Sequence, residues 1–128
     1  MDEPSSKPRG DLTIRTLAMP ADTNPAGDIF GGWVMSQMDI AGATAAVERV
    51  KGRVATVAVE AMTFIAPVKV GDILCVYCTI DRIGTTSITV GMEAWAKRER
   101  LAERVKVTEA RFVYVALGED GRKRRIEG

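Results

Sequence analysis

The stretch that decides the fold runs from Asp22 to Gly42 and reads DTNPAGDIFGGWVMSQMDIAG. Its first part has the Asp, Thr, Asn, Pro and Gly composition of a loop and includes Asn24, the only asparagine of the chain. After the pair Gly31 and Gly32 an apolar run begins, with one carboxylate, Asp39, set into it. Because a charge on a buried helix face is costly unless it is paired or used, Asp39 is the first candidate for chemistry.

The sequence on either side of this stretch predicts one long helix and five strands. A helical pattern extends from about Ile29 to Val50, which corresponds to roughly 30 Å, and the cation and glycine of Lys51-Gly52 mark its end. Runs rich in Val, Ile, Thr and aromatic residues predict strands at Leu12–Met19, Val54–Phe64, Asp72–Ile83, Thr86–Lys97 and Arg104–Leu117. The turns between the last four, at residues 67–71, 84–85 and 98–100, are short, so we expect these strands to be antiparallel neighbours.

These elements predict an α+β protein in which a curved antiparallel sheet of about five strands wraps a long central helix. The helix is apolar on most of its sides, and such a helix must be buried on most of its sides. Aromatic residues make up only 5% of the chain, so one sheet and one helix form a modest core. We therefore expect a subunit interface to complete the burial, with 72–83 as an edge strand able to pair across a two-fold axis.

Length and composition indicate a single domain. The chain has 128 residues, 46% of them hydrophobic and 27% charged, which is the composition of an ordinary globular domain. We expect a disordered tail over residues 1–10, one folded domain over 11–118 and a charged, frayed segment over 119–128. The polar N-terminus lacks the apolar core of a signal peptide and no apolar run is long enough to span a bilayer, so a cytoplasmic location is expected.

The absence of histidine is the strongest exclusion. It removes nucleophiles activated by histidine, and every histidine-based metal site. Cys75 and Cys78 form a C-x-x-C pattern, but on a strand residues three apart point to opposite faces, so we expect two buried structural thiols and neither a redox nor a zinc site. A net charge of +1, without a basic recognition helix, argues against nucleic acid as a partner.

The order of strand, long helix and four antiparallel strands resembles the hotdog fold. The residues RTLAMPADTNPAGDIFGGWVMSQMDIAGA resemble the signature of the YciA-type acyl-CoA thioesterases, as do GRVATVAVEAMTFIAPVKVGD, RIGTTSITV and WAK. The resemblance covers roughly residues 12–116, which is most of the chain. It implies a sheet wrapped around the helix, a homodimer with one continuous sheet and sites at its interface, and often a trimer of dimers.

The resemblance also implies roles for individual residues. Asp39 takes the place of the family's acid/base or nucleophile, and Asn24 that of an asparagine acting with the carboxylate of the opposing subunit. Gly31 and Gly32 match the helix start whose backbone N–H groups face the thioester carbonyl. Elementary chemistry agrees, because a thioester needs a positioned water, a base and a stabilised oxyanion, and the first turn of a helix offers unpaired N–H groups.

Each of these residues also has an interpretation without catalysis. Asn24 can be a simple turn residue, and Asp39 a structural carboxylate that accepts from Ser36, Gln37 or a strand hydroxyl. The sheet carboxylates are more often solvated charges than catalysts, namely Glu60, Glu93 and Glu109.

Two further segments are candidates for contacts with coenzyme A. The resemblance implies that the turn Gly84-Thr85-Thr86-Ser87 contacts the pantetheine arm, although it can equally be a hairpin turn. Arg122 and Arg124 lie in the densest basic run and suit phosphates, although the run can equally be a solvated tail.

The sequence thus predicts an acyl-CoA thioesterase that hydrolyses acyl-CoA to a free fatty acid and coenzyme A, with a broad range of chain lengths. No cofactor and no metal are expected, since coenzyme A is part of the substrate and of the product. The alternative is a non-catalytic hotdog module that binds acyl-CoA as a sensor. We expect the enzyme, because a sensor of this type usually needs an output domain and about ten residues ahead of the fold are too few to form one.

Overall fold

The structure is a computed structural model that describes residues 7–98 and 103–127. Its helices and strands are β1 (Asp11–Leu17), a short 3-10 helix (Pro20–Asp22), α1 (Gly31–Val50), β2 (Val54–Phe64), β3 (Ile73–Ile83), β4 (Ser87–Arg98) and β5 (Glu103–Ala116). The predicted helix and the five predicted strands are all present, and their ends move by at most two residues. No helix formed by the described residues is long and apolar enough to cross a membrane.

The five strands form one antiparallel sheet in the order β1-β3-β4-β5-β2. Helix α1 contacts every strand, which agrees with the predicted α+β arrangement. The core lies between the helix and one face of the sheet, because alternate residues of a strand point to the same side. Among its most buried members are Met38, Leu74, Val90, Phe112 and Tyr114.

The strand that was expected at the edge lies inside the sheet, so that prediction is wrong. β3 pairs with β1 on one side and with β4 on the other. The seven residues of β1 arrive from the start of the chain and cover the edge of β3, and such non-local pairing leaves no mark on the local sequence. In the part of the chain that the structure describes, β1 and β2 are the edge strands.

The C-terminal segment is ordered rather than frayed from Arg122 to Ile126, contrary to the prediction. The Ile126 side chain is buried and its backbone N–H donates to Thr85 O at 2.8 Å. The Arg124 guanidinium donates to Val50 O at 2.7 Å and to Leu117 O at 3.1 Å. An apolar anchor and one arginine therefore attach this segment to the end of α1 and to the turn between β3 and β4.

Parts of two other predicted segments lie outside the described residues. These are positions 1–6 of the predicted disordered tail, and positions 99 and 100 of the predicted turn after β4. Of the remaining tail, Arg9 donates its backbone N–H to Glu93 Oε1 at 3.0 Å and its guanidinium to Asp81 Oδ1 at 2.8 Å. The tail is therefore attached to the sheet from Arg9 onward.

The two cysteines are free and buried, as predicted. Cys78 belongs to the core beneath α1, whereas Cys75 lies outside that core cluster and near Leu12 and Tyr77. Their separation follows from the strand geometry, since residues three apart on β3 face opposite sides. Burial raises the pKa of the Cys78 thiol, so this group stays protonated at neutral pH.

The sheet face that points away from α1 carries a cluster of charges around Glu93. Its Oε1 accepts from Arg9 N and from Trp95 Nε1, each at 3.0 Å, and Lys106 Nζ lies 3.3 Å from Oε2. Lys106 also pairs with Glu109 at 2.6 Å. Partial burial alone would raise the pKa of Glu93, but the hydrogen bonds from Arg9, Trp95 and Lys106 outweigh it and lower the pKa below its ordinary 4.5.

This cluster predicts an acid-sensitive contribution to stability. A carboxyl whose pKa is lower in the folded chain than in the unfolded chain stabilises the fold above the unfolded value and stops doing so as the pH falls through the folded one. Glu93→Gln should therefore lower the free energy of unfolding at neutral pH by about 1 kcal/mol or less, and the difference should vanish well below pH 4.5. Thermal unfolding across this range measures it, with Glu119→Gln on the exposed C-terminal segment as control. A difference that grows on acidification would contradict the assignment.

Candidate active site

Asp39 lies in the third turn of α1 with its side chain half-buried, and one of its two carboxylate oxygens is held by the sheet. Oδ1 accepts a hydrogen bond from Thr56 Oγ1 of β2 at 2.8 Å and lies 3.1 Å from the Tyr114 hydroxyl of β5. The same hydroxyl lies 3.1 Å from the Asp39 main-chain oxygen. Within the described ranges Oδ2 accepts no hydrogen bond, so one oxygen is anchored while the other is open to a reactant.

The neighbours of Asp39 on the helix do not take part in this arrangement. The Ser36 hydroxyl donates to Trp33 O at 2.8 Å, and Gln37 Oε1 accepts from Thr16 Oγ1 at 2.8 Å. Of the possible partners named from the sequence, the one found is a strand hydroxyl, that of Thr56.

Tyr114 was missed by the sequence reasoning. It is 75 residues from Asp39 along the chain and has no exposed surface. The alternation of Phe112 and Tyr114 along β5 could have placed both rings in the core, but no local pattern shows which helix residue they face. Burial, reinforced by the charge of Asp39, raises the pKa of Tyr114 above its ordinary 10, so the hydroxyl stays protonated and can donate at every physiological pH.

At the start of α1 the backbone N–H groups of Gly31 and Gly32 have no hydrogen-bond partner among the described residues. Phe30 is the N-cap residue and provides no side-chain hydrogen bond, and the first turn contains no acidic residue. Among the described residues, a Cβ atom on Gly32 would meet nothing within 4 Å, and one on Gly31 would touch the ring of Phe64 at 3.4 Å. The packing of the described residues thus does not require glycine at position 32. An acceptor from outside the chain can approach this backbone closely.

Asn24 organises the loop that leads into the helix. Its side-chain Oδ1 accepts hydrogen bonds from Ala26 N at 2.9 Å and from Asp28 N at 3.1 Å. Its backbone N–H donates to Asp28 O at 2.7 Å. This is the turn role that the sequence left open. In the described part of the chain its Nδ2 group has no partner, so Asn24 can serve the turn through one atom and bind a reactant through the other.

The candidate residues do not meet within one chain. No hydrogen bond joins Asn24 to Asp39 among the described residues, since the partners of Asp39 are Thr56 and Tyr114. Gly31 precedes Asp39 by eight residues, which is about 12 Å along a helix axis. One carbonyl group cannot contact both ends of that distance. The open N–H groups and the carboxylate of a single chain are therefore too far apart to contact the same carbonyl group.

The turn 84–87 and the basic C-terminal segment lie side by side. Gly84 N donates to Ser87 O at 2.7 Å, which closes a hairpin turn, and Thr85 O accepts from Ile126 N. Thr86 O accepts from Ala116 N at 2.9 Å. Arg124 donates to main-chain oxygens, as described above, whereas the side chain of Arg122 is exposed. Contacts of these residues with coenzyme A stay a prediction.

The three sheet carboxylates considered from the sequence each lie near a basic side chain. Glu60 lies 4.0 Å from Arg111, and Glu93 and Glu109 belong to the ion pairs with Lys106. Across residues 7–98 and 103–127, no group of three His, Cys, Asp or Glu side chains could hold a metal ion.

An exposed apolar surface borders the site on β2 and on the outer side of α1. Edge strand β2 is exposed along most of its length. The large apolar side chains exposed on these two elements and directly beside them are Phe30, Met35, Ile40, Val47, Val57, Val59, Phe64 and Ile65. A patch of this kind beside an unpaired strand edge marks a protein–protein interface.

The comparisons with known proteins agree on one family. The model of the Thioesterase superfamily matches residues 26–103. The acyl-CoA thioester hydrolase YciA of Salmonella typhimurium is 56% identical over 122 residues, which are 93% of this chain and 92% of that protein. A hexameric thioesterase of Yersinia pestis has a TM-score of 0.92 at 52% identity, over 95% of this chain and 99% of that one. A hexameric broad-specificity acyl-coenzyme A thioesterase was solved with an aspartate replaced by alanine. It has a TM-score of 0.90 at 51% identity, and the match covers 93% of this chain and 88% of that protein.

The structural role of the Asn24 Oδ1 atom can be tested by substitution. Asn24→Ala removes the acceptor of two backbone N–H groups and should lower the free energy of unfolding by about 1 kcal/mol. Asn24→Asp keeps an acceptor oxygen and should leave stability nearly unchanged, while it removes the open Nδ2 donor. Chemical denaturation measures both variants. Equal losses of stability would show that the loop does not depend on the Oδ1 hydrogen bonds.

Proposed function

Because this chain belongs to the Thioesterase superfamily, as one of the YciA-type acyl-CoA thioester hydrolases, we propose that it hydrolyses acyl-CoA to a free fatty acid and coenzyme A. The family membership confirms the resemblance seen in the sequence, and the matched structures confirm the hotdog fold. The relatives are named as hydrolases, so nothing supports the alternative of an acyl-CoA sensor. The observation that carries the proposal is the carboxylate of Asp39, held through Oδ1 and open at Oδ2.

The reaction follows from what these groups can do. The thioester carbonyl oxygen takes hydrogen bonds from the open N–H groups at the start of α1, which stabilise the negative charge that develops there. In one route Oδ2 of Asp39 removes a proton from a water molecule while the water oxygen bonds to the carbonyl carbon; the C–S bond then breaks, and the sulfur leaves with its electron pair and takes the proton back from Asp39. In the other route Oδ2 bonds to the carbonyl carbon itself, the C–S bond breaks to leave an acyl anhydride, and the water that hydrolyses this anhydride supplies the proton of the thiol. Thr56 steadies the carboxylate in both routes by donating to Oδ1.

The site is proposed to form between two copies of the chain. In one chain the N–H groups at the start of α1 lie about 12 Å from Asp39 along the helix. A second copy must therefore supply either the N–H groups or the carboxylate of each site. The exposed apolar side chains of β2 and α1 provide a surface for that copy, and a two-fold axis would place the start of one helix near the Asp39 of the other. The relatives of known structure described above are hexameric, and the proposal extends a trimer of dimers to this chain.

The remaining assignments are part of the same proposal. The turn 84–87 and the exposed Arg122 would contact the pantetheine arm and the phosphates of coenzyme A, and Arg124 would support them through its bonds to the main chain. No cofactor takes part, because the thioester is already activated. A cytoplasmic location is part of the proposal, and the two unpaired cysteines are consistent with a reducing compartment. The thioesterase domain is assigned to residues 11–118.

Replacing Asp39 should abolish the activity without unfolding the chain. The assay follows the release of free thiol from acyl-CoA substrates of short to long chain length. Asp39→Ala should lower kcat by about 100-fold or more, because the general base or the nucleophile is lost. Glu48→Ala, an exposed carboxylate on the same helix, is the matched control and should keep wild-type rates. Equal rates in a folded Asp39→Ala protein would refute the assignment, and no release by the wild type at any chain length would favour the sensor.

Mixed subunits test whether the site is shared. Asn24→Ala and Asp39→Ala proteins should each be inactive alone, because each lacks one half of every site. When they are co-refolded in equal amounts, half of the dimers are mixed and each carries one intact site, so about a quarter of wild-type activity should return. Native mass spectrometry reports whether mixed dimers form. Mixed dimers without recovered activity would show that Asn24 and Asp39 do not act across the interface.

A further inference from the structure

Gly42 and Tyr114 form a fitted pair in the middle of the fold. Gly42 is buried in α1, three residues after Asp39 and on the same side of the helix. A Cβ atom there would overlap the Tyr114 hydroxyl oxygen and lie 3.0 Å from the ring carbon that bears it and 2.8 Å from Met92 Cε. Glycine in a helix interior costs about 1 kcal/mol relative to alanine, so its presence calls for a local reason. That reason is the hydroxyl of Tyr114, which needs the space.

The space brings the Tyr114 hydroxyl to the backbone and the side chain of Asp39 at once. Its oxygen is 3.1 Å from the main-chain oxygen and 3.1 Å from Oδ1 of the same residue. A donor shared between these two atoms favours the rotamer that keeps Oδ1 against the helix, and it thereby turns Oδ2 outward. The ring itself is fixed, because it is fully buried and stacks on Phe112 with centroids 6.3 Å apart.

We propose that Tyr114 is a positioning residue for the catalytic carboxylate, and that Gly42 is glycine in order to admit its hydroxyl. The inference rests on the proposed function, since it assigns Tyr114 a role in the orientation of Asp39 and none in contact with the substrate. It distinguishes Tyr114 from an ordinary core aromatic, whose loss would affect stability and leave the turnover of the folded protein alone. Tyr114 contributes a neutral donor at every physiological pH, so it orients the charge without neutralising it.

Tyr114→Phe removes only the hydroxyl and keeps the buried ring. It should lower kcat by roughly 10- to 100-fold, because a small misplacement of a reacting group has effects of that size, while KM changes little. The matched control is Thr108→Val, which removes another buried hydroxyl from β5, one without a hydrogen-bond partner among the described residues. This control should keep the wild-type kcat. Unchanged kcat in a folded Tyr114→Phe protein would overturn the inference.

Gly42→Ala gives a second and independent variant, because it displaces the hydroxyl while Tyr114 stays in the chain. It should lower kcat in the wild-type background and have a smaller further effect in the Tyr114→Phe background, where the hydroxyl is absent and only the contacts with the ring carbon and with Met92 Cε remain. Independent effects that multiply in the double variant would overturn the inference. In a crystal structure of Tyr114→Phe, the Asp39 carboxylate should leave its wild-type position, and an unmoved carboxylate would likewise contradict the proposed role.

Asp39→Ala, assayed beside these variants, distinguishes a failure of the positioning role of Tyr114 from a failure of the proposed function. If Asp39→Ala is inactive and Tyr114→Phe is fully active, the positioning role fails and the proposed function stands. If Asp39→Ala is itself active, the catalytic assignment fails and the positioning role fails with it. Loss of activity in Asp39→Ala, with a lowered kcat and an unchanged KM in Tyr114→Phe, supports both.

Discussion

The structure depends on how one charge is accommodated beside a hydrophobic core. Asp39 lies on an otherwise apolar helix, where an unpaired carboxylate would be costly. The protein meets that cost with two hydroxyl groups, from Thr56 of β2 and Tyr114 of β5, which reach the same oxygen. Because both donors reach Oδ1, the second carboxylate oxygen keeps no hydrogen-bond partner among the described residues. An arginine in their place would have satisfied the carboxylate and occupied it.

The arrangement of strands follows the same constraint. β2 carries Thr56 to Asp39 and is also an edge strand, so the site lies at the border of the chain and beside its exposed apolar surface. The helix separates the open N–H groups of Gly31 and Gly32 from Asp39 by about 12 Å. Under the proposed function, one complete site therefore calls for the helices of two subunits. The glycines at the start of α1 and in its interior are explained differently. A Cβ atom on Gly32 would contact no other part of the described chain within 4 Å, whereas Gly42 makes room for the Tyr114 hydroxyl.

Most of the fold could be predicted because its signals are local. The strands from β2 to β5 are long, rich in β-branched residues and separated by short turns, so their extents were found within two residues. The place of β3 could not be predicted in the same way, because β1 pairs with it across about sixty residues of intervening sequence. The order of residues 122–126 was missed for a similar reason, since Arg124 and Ile126 are held by groups that are distant in the chain.

By itself, the sequence determined the order and type of the elements, the exclusion of histidine chemistry, and Asp39 as a candidate for chemistry, because composition, periodicity and short motifs are properties of neighbouring residues. The roles of Asn24, Gly31 and Gly32 were implied by the resemblance of the sequence to a thioesterase family. Only the tertiary structure decided which side chains surround Asp39, that Gly42 admits the Tyr114 hydroxyl, and that Asn24 holds its own loop through Oδ1. The reason is physical, because a hydrogen bond is set by distances of about 3 Å in space, and residues that meet at such distances can be 75 positions apart in the chain.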